Sequence, residues 1–111
     1  MINQGDIYWV QRIDLLDIPH PYVVIQENAL NHSQIAVVVA CPLTSNLKRI
    51  SLPGNVLIDA GEAQLPKPSV VEVSKVSTID KAQLGEYIGS LSEHRIDQIL
   101  AGIRFLQTFY S

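Results

Sequence analysis

The sequence predicts one domain over residues 1–111, mainly antiparallel β with a single C-terminal helix. Three observations carry this reading: short β-branched runs, turn signals between them, and a change to helical spacing after residue 91. Residues 6–11 alternate and are rich in strand formers, and Tyr22 to Gln26 is a β-branched run too short for a helix. Ile35 to Cys41 is almost continuously apolar, the pattern of a strand covered on both faces. Asn55 to Ile58 and Val70 to Val73 follow turn signals at Pro53-Gly54 and Pro66-Lys67-Pro68. Thr78-Ile79-Asp80-Lys81 reads as a turn or single helical coil. Five or more short strands joined in this way form a strongly bent sheet or a partly open barrel.

The last segment has a different period. Ile96, Ile99, Leu100, Ile103, Leu106 and Tyr110 fall on one helical face. Ser92 is the better N-cap, with Glu93 favourably placed against the helix dipole; Ser90 with Glu93 also fits a capping box. Such a stripe is most simply core contact with the sheet.

Composition narrows the class. Apolar residues make up 47% of the 111, which suits a packed core. The apolar runs are too short to cross a bilayer, and Met1 to Asp6 has neither a basic nor an apolar leader region. Cys41, alone inside an apolar run, is expected to be a buried, inert thiol. A soluble cytoplasmic protein is the expectation. The net charge of −3 argues against a broad electrostatic grip on nucleic acid, so any such contact must rest on a local patch. Lys48-Arg49 is the adjacent basic pair available for one.

Three stretches belong together: Gly5-Asp6-Ile7-Tyr8-Trp9-Val10, His20-Pro21-Tyr22-Val23-Val24-Ile25-Gln26 and Pro42-Leu43-Thr44-Ser45-Asn46. They are followed in order by Leu52-Pro53-Gly54-Asn55-Val56, Ser69-Val70-Val71, Thr78-Ile79-Asp80-Lys81 and Ile88-Gly89-Ser90-Leu91. No piece is specific alone, but the ordered set resembles the MazF/PemK family of toxin endoribonucleases from Gly5 to about Leu106. The resemblance implies an SH3-like small barrel with a C-terminal helix. It also implies metal-independent cleavage of single-stranded RNA, with some sequence preference, leaving 2′,3′-cyclic phosphate and 5′-hydroxyl ends. A homodimer silenced by a small acidic antitoxin is implied as well.

Such cleavage needs a base for the 2′-hydroxyl, an acid for the departing 5′-oxygen, and donors for the charge on phosphate. Three scattered histidines and one cysteine make no zinc set, and neither a phosphate loop nor a Gly-x-Ser-x-Gly elbow is present. No cofactor and no metal are expected. His20 is held extended by the proline that follows it, and an imidazole can give or take a proton near neutral pH. On its own it is an ordinary bend residue. The resemblance makes it the acid–base candidate, because it stands where the family usually carries a catalytic arginine. The positive charge lost with that arginine is expected from Lys48 or Arg49.

Thr44 matches the family threonine that bonds the phosphate, with the amides of Ser45 and Asn46 as further donors. A turn satisfying its own backbone is the plainer reading of these residues, and the two are compatible. Some relatives carry an arginine and an aspartate where Glu72 and Ser74 stand here, so that acid–base scheme does not carry over. Glu72 could act as a general base, yet a solvated strand carboxylate is its ordinary reading. The Gln11–Pro19 loop is shorter than the family's and contains Asp14 and Asp17, which would repel phosphate from a cleft. Tyr8, Trp9 and Tyr22 are the rings available for stacking bases, with a core role the simpler one for Trp9. Asn31 and His32 read as turn residues and His94 as exposed.

Two rival functions remain open: a non-catalytic module that binds RNA or antitoxin, and a gyrase-targeting toxin of the CcdB kind on the same barrel. The Pro42–Asn46 cluster beside Lys48-Arg49 favours RNA chemistry.

Overall fold

The computed structural model describes residues 1–12 and 18–110; Asp14, Asp17 and the side chain of Tyr110 lie outside these. Seven strands precede the long helix: β1 Asp6–Val10, β2 His20–Val24, β3 Val37–Thr44, β4 Val56–Ile58, β5 Ser69–Val71, β6 Ser77–Asp80 and β7 Leu84–Ser90. A single helical turn, α1, spans Asn28–Asn31, and α2 runs from Glu93 to Tyr110. All pairings are antiparallel, in the order β4-β5-β3-β2-β1-β7, with β6 beside β3. The path does not close on itself, so the expected small barrel is open, in keeping with the partly open form the sequence predicts.

β3 is the strand through which everything connects. One edge pairs with β2 through residues 40–42. The other pairs first with β6 through residues 37–40 and then with β5 through Leu43 and Thr44. Pro42 sits in the interval between those two partners. Its carbonyl accepts the Glu72 N–H at 3.0 Å, so its own missing N–H points to the same gap and breaks no ladder. That is how the strand runs on through Pro42 to end at Thr44, the residue that the family resemblance places at its close.

Alternation along the central strands feeds two cores. Ile7, Val23, Cys41 and Leu43 face a cluster closed by Val56, Ile58, Val71, Val73 and Ile99. Val10, Tyr22, Val24, Val38 and Ala40 face a second cluster with Ile79. Burial on both sides explains the near-continuous apolar run of β3. Cys41 is fully buried, and burial pushes its thiol up to about 12.

Two elements depart from the sequence reading. Thr78-Ile79-Asp80 is strand rather than turn, because β6 pairs with the first half of β3; only Lys81–Gln83 forms a helical coil. β7 is an additional strand on β1, tied there by Asp6. This carboxylate is 5% exposed and accepts bonds from Asn3 N (2.9 Å), Tyr8 Oη (3.3 Å) and Ser90 Oγ (2.6 Å). Burial, then Asp6, raises the Tyr8 phenol to about 12.

Because Ser90 serves Asp6, the capping-box alternative falls away. Ser92 caps α2, its hydroxyl accepting the Arg95 N–H at 3.3 Å. The stripe of Ile99, Leu100, Ile103 and Leu106 packs on the first core as expected. Two contacts fix the helix along its length. Near its start Arg95 grips Glu62 with both arms, Nε to Oε1 at 3.0 Å and Nη2 to Oε2 at 2.8 Å, while Nη1 reaches Gln98. Farther on, Gly102 lies against the backbone of Gly54, which itself has φ +84°.

A Cβ on Gly102 would run into the Gly54 carbonyl oxygen, so Gly102→Ala should destabilise the fold by about 1–3 kcal/mol in urea titration. Glu62 is held below the usual carboxylate range, first by the Arg95 hydrogen bond and then by the Asp59 amide. A lowered folded value stabilises above the ordinary glutamate value, and the gain is lost as pH falls through the lowered one. Arg95, raised chiefly by the same bond, stays charged throughout. Arg95→Met should therefore cost about 1 kcal/mol at pH 7. The difference from wild type should shrink once pH falls below about 4.

Candidate functional site

The register of three strands assembles a cleft. Tyr22 pairs with Pro42, and Pro42 in turn accepts the Glu72 N–H, forming one row across β2, β3 and the end of β5. Two residues along each of β2 and β3, the same register carries His20 level with Thr44, while His20 also pairs with Val10 of β1. Period-two alternation then sets His20, Tyr22, Pro42, Thr44 and Glu72 on one face. This is the face of the second core, at the end where its apolar filling stops.

A cleft of about 440 Å³ opens there, lined by these residues with Arg12, Asn46, Arg49, Lys75 and Ser77. Its charged walls are Arg12, Arg49 and Lys75 against the single carboxylate of Glu72. In a chain of net charge −3 this is a local concentration of positive charge. Arg12 Nη1 donates to Ser77 Oγ at 2.8 Å, which braces it against β6.

Thr44 is half-buried, and its Oγ1 accepts the Asn46 N–H at 3.2 Å. The hydroxyl proton stays available for an anion, but the Asn46 amide is already engaged, contrary to the expectation that it is a free donor. Asn46 instead caps the 3₁₀ turn Leu47–Ser51, its Oδ1 accepting the Lys48 N–H at 3.2 Å. That turn brings Arg49 to the cleft, whereas Lys48 does not line it. Ser45 is exposed and faces the other side.

On that other side, residues of opposite parity line a largely apolar recess of about 340 Å³, among them Trp9, Pro21, Leu43, Ser45 and Ser69. His20 and Thr44 line both hollows and join them at the strand ends. Trp9 is 42% exposed, so its expected core role is overturned: it is an open ring beside the cleft. Tyr22 is buried, and Tyr8 is tied to Asp6 with its ring edge-on to Tyr87.

Glu72 overturns its ordinary reading too. It is 5% exposed, and no well-aligned hydrogen bond from the described residues ends on Oε2. That atom has only an ion pair with Lys75 Nζ at 3.2 Å, three residues on in the same turn. Arg12, Lys75 and Ser77 were not singled out as site residues by sequence. Arg12 nevertheless continues the parity of Tyr8 and Val10 two residues past the strand, a signal that could have found it. Asn31 is buried, with Nδ2 on the Gln26 carbonyl at 2.7 Å, and His32 bonds Asn3 at 2.9 Å. Both hold the loop after β2, away from the cleft. His94 is exposed on α2.

No three His, Cys, Asp or Glu side chains among the described residues gather as metal ligands. No helix among them is long and apolar enough to cross a membrane.

The family model described as PemK-like, MazF-like toxin of type II toxin-antitoxin system matches residues 3–106. The chain belongs to this family. Among curated relatives, endoribonuclease MazF6 of Mycobacterium tuberculosis (strain ATCC 25618 / H37Rv) is 31% identical over 112 residues, covering 94% of this chain and 95% of its own. Endoribonuclease MazF of Staphylococcus epidermidis is 29% identical, covering 89% and 85%. The fold agrees. A mycobacterial endoribonuclease solved in complex with its cognate antitoxin superposes with a TM-score of 0.82 at 22% identity, over 100% of this chain and 99% of that one. The MazE-MazF structure from Deinococcus radiodurans gives 0.76 at 19% identity, over 96% and 94%. The MazF-type architecture expected from the resemblance is thus the one observed.

Proposed function

We propose that this MazF/PemK-family chain is a metal-independent endoribonuclease toxin that cleaves single-stranded RNA in the cytoplasm. The observation that carries this reading is that His20, at the start of β2, and Thr44, at the end of β3, line one cleft walled by Arg12, Arg49 and Lys75. The scissile phosphate sits at this junction. Thr44 donates its hydroxyl proton to a non-bridging oxygen, and the guanidinium groups of Arg12 and Arg49 take the growing negative charge. His20, at the mouth of β2, transfers a proton during cleavage. Two cations thereby replace the arginine that the family usually places at His20, one of them from an unexpected element, the end of β1.

An adjoining base stacks on the open face of Trp9, in the recess that shares His20 and Thr44 with the cleft. Chemistry and recognition then occupy opposite sides of the same strand ends. One structural relative is solved in complex with its cognate antitoxin and another as MazE-MazF; in keeping with this, the active chain here is a homodimer held silent by a small acidic partner. That partner's carboxylates compete with RNA phosphate for the cleft's cations.

Incubation with a long RNA in excess EDTA should give 2′,3′-cyclic phosphate and 5′-hydroxyl ends; activity lost in EDTA and regained with magnesium would refute the mechanism. In the same assay His20→Ala should abolish turnover with little change in melting temperature. His20→Arg discriminates further. It should slow cleavage if the imidazole itself moves the proton, and speed it if the chain is a weakened relative of the family. A wild type that binds RNA without cleaving it, beside an active arginine variant, would establish a non-catalytic binding module instead. For charge, Arg49→Gln should lower kcat by about 10-fold or more, as loss of a phosphate-charge donor does. Lys48→Gln should have a clearly smaller effect; equal losses would place both side chains on the substrate.

A further inference from the structure

The cleft contains one group that the mechanism above leaves idle. Glu72 is almost wholly withdrawn from water, yet its Oε2 has no hydrogen bond from the described residues. Burying a carboxylate whose near cation is poorly aligned is costly, and an apolar side chain there would commonly be neutral or stabilising. The ion pair does little to offset this: it comes from Lys75, whose side chain is 57% exposed and extends from the same short turn. The position is firmly set. The Glu72 N–H is bonded to Pro42 O, and its carbonyl accepts the Lys75 N–H at 3.1 Å. A fixed, nearly buried carboxylate on the wall of a cleft whose other charged side chains are cations suits a donor that arrives with the substrate.

We propose that Glu72 is the general base of the cleavage reaction and that His20 is the general acid, an assignment that rests on the endoribonuclease reading above. The Glu72 carboxylate takes the proton from the ribose 2′-hydroxyl. The 2′-oxygen attacks phosphorus, and the bond from phosphorus to the 5′-oxygen breaks. The departing 5′-oxygen takes a proton from the His20 imidazolium. The products are a 2′,3′-cyclic phosphate and a 5′-hydroxyl, and the enzyme is left with a protonated Glu72 and a neutral His20. Exchange with water restores both. His20 on β2 and Glu72 past β5 flank the Pro42–Thr44 segment of β3 from its two edges, so base and acid stand on opposite sides of the phosphate donor Thr44.

Single-turnover cleavage of two oligonucleotides tests this. Both span a site first mapped on a long RNA. One is natural, and the other has sulfur in place of the bridging 5′-oxygen, a leaving group that needs no proton. Glu72→Gln should be slower by about 10²–10⁴-fold on both, the usual worth of a proton-transfer group. His20→Ala should be slow on the natural RNA and regain most of its rate on the sulfur substrate. Binding of an uncleavable 2′-deoxy oligonucleotide to Glu72→Gln should be unchanged or tighter, since a negative charge has left the cleft. Should Glu72→Gln fail to fold, Glu72→Asp serves in its place: it sets the base back by one methylene and should be slow on both substrates with binding preserved.

Cleavage of natural RNA by Glu72→Gln within about threefold of wild type, well short of a proton-transfer effect, overturns the assignment while the nuclease reading stands. So does rescue of Glu72→Gln by the sulfur leaving group. A wild type that cleaves neither substrate overturns the nuclease reading, and the base assignment with it.

Discussion

The exchange of partners along β3 is the constraint on which the rest of the molecule depends. One eight-residue strand holds β2 on one edge and both β6 and β5, in succession, on the other. An exchange of this kind leaves a short stretch of edge without a strand beside it, and that stretch must avoid an orphaned buried N–H. Pro42 meets the requirement by having none. The gap is also where the second core ends. Side chains of β2, β3 and β6 converge there with those of the segments that follow β1 and β5. The cleft follows from this exchange of partners, and the candidate groups are arranged around it.

Charge in the cleft is local, and its parts come from distant points in the chain. Arg12 follows β1, Arg49 rides on a 3₁₀ turn capped by Asn46, and Lys75 follows β5. Of the three, Arg49 alone has a basic neighbour in sequence, Lys48, and the chain as a whole is acidic. Affinity for a polyanion must then come from a few placed contacts, which favours discrimination of position along the strand over broad adhesion. Glu72 fits the same logic. A carboxylate among three cations weakens the field for phosphate, and its burial works against stability, so its presence is easier to understand as chemistry than as architecture.

How much could be seen in advance depends on where each signal resides. The early strands and α2 were legible because alternation and helical spacing are properties of consecutive residues. β7 was not. Leu84-Gly85-Glu86-Tyr87-Ile88-Gly89-Ser90 contains two glycines and two polar residues, and it is a strand because β1 and the Asp6–Ser90 bond hold it there. β6 was misread for a related reason: Asp80 and Lys81 look like a turn until β3 supplies the ladder. In the site, His20 and Thr44 were visible as motif residues, and their adjacency came from the β2–β3 register. Arg12 and Glu72 could not be weighed in the same way. A residue beyond a strand end and a strand carboxylate have no special local signature, and burial and convergence are what set them apart.

The burial of Cys41 opens a route into the solution behaviour of the molecule. Its thiol faces the first core and is pushed far above the range in which thiolates form at ordinary pH, so it will not compete for alkylating reagents while the chain is folded. A cysteine introduced on the surface would therefore be the sole reactive thiol, with no need to remove the native one. Placed at exposed Ser45, it would set a spectroscopic probe on the rim of the apolar recess, where the arrival of a nucleobase or an antitoxin side chain could be followed directly.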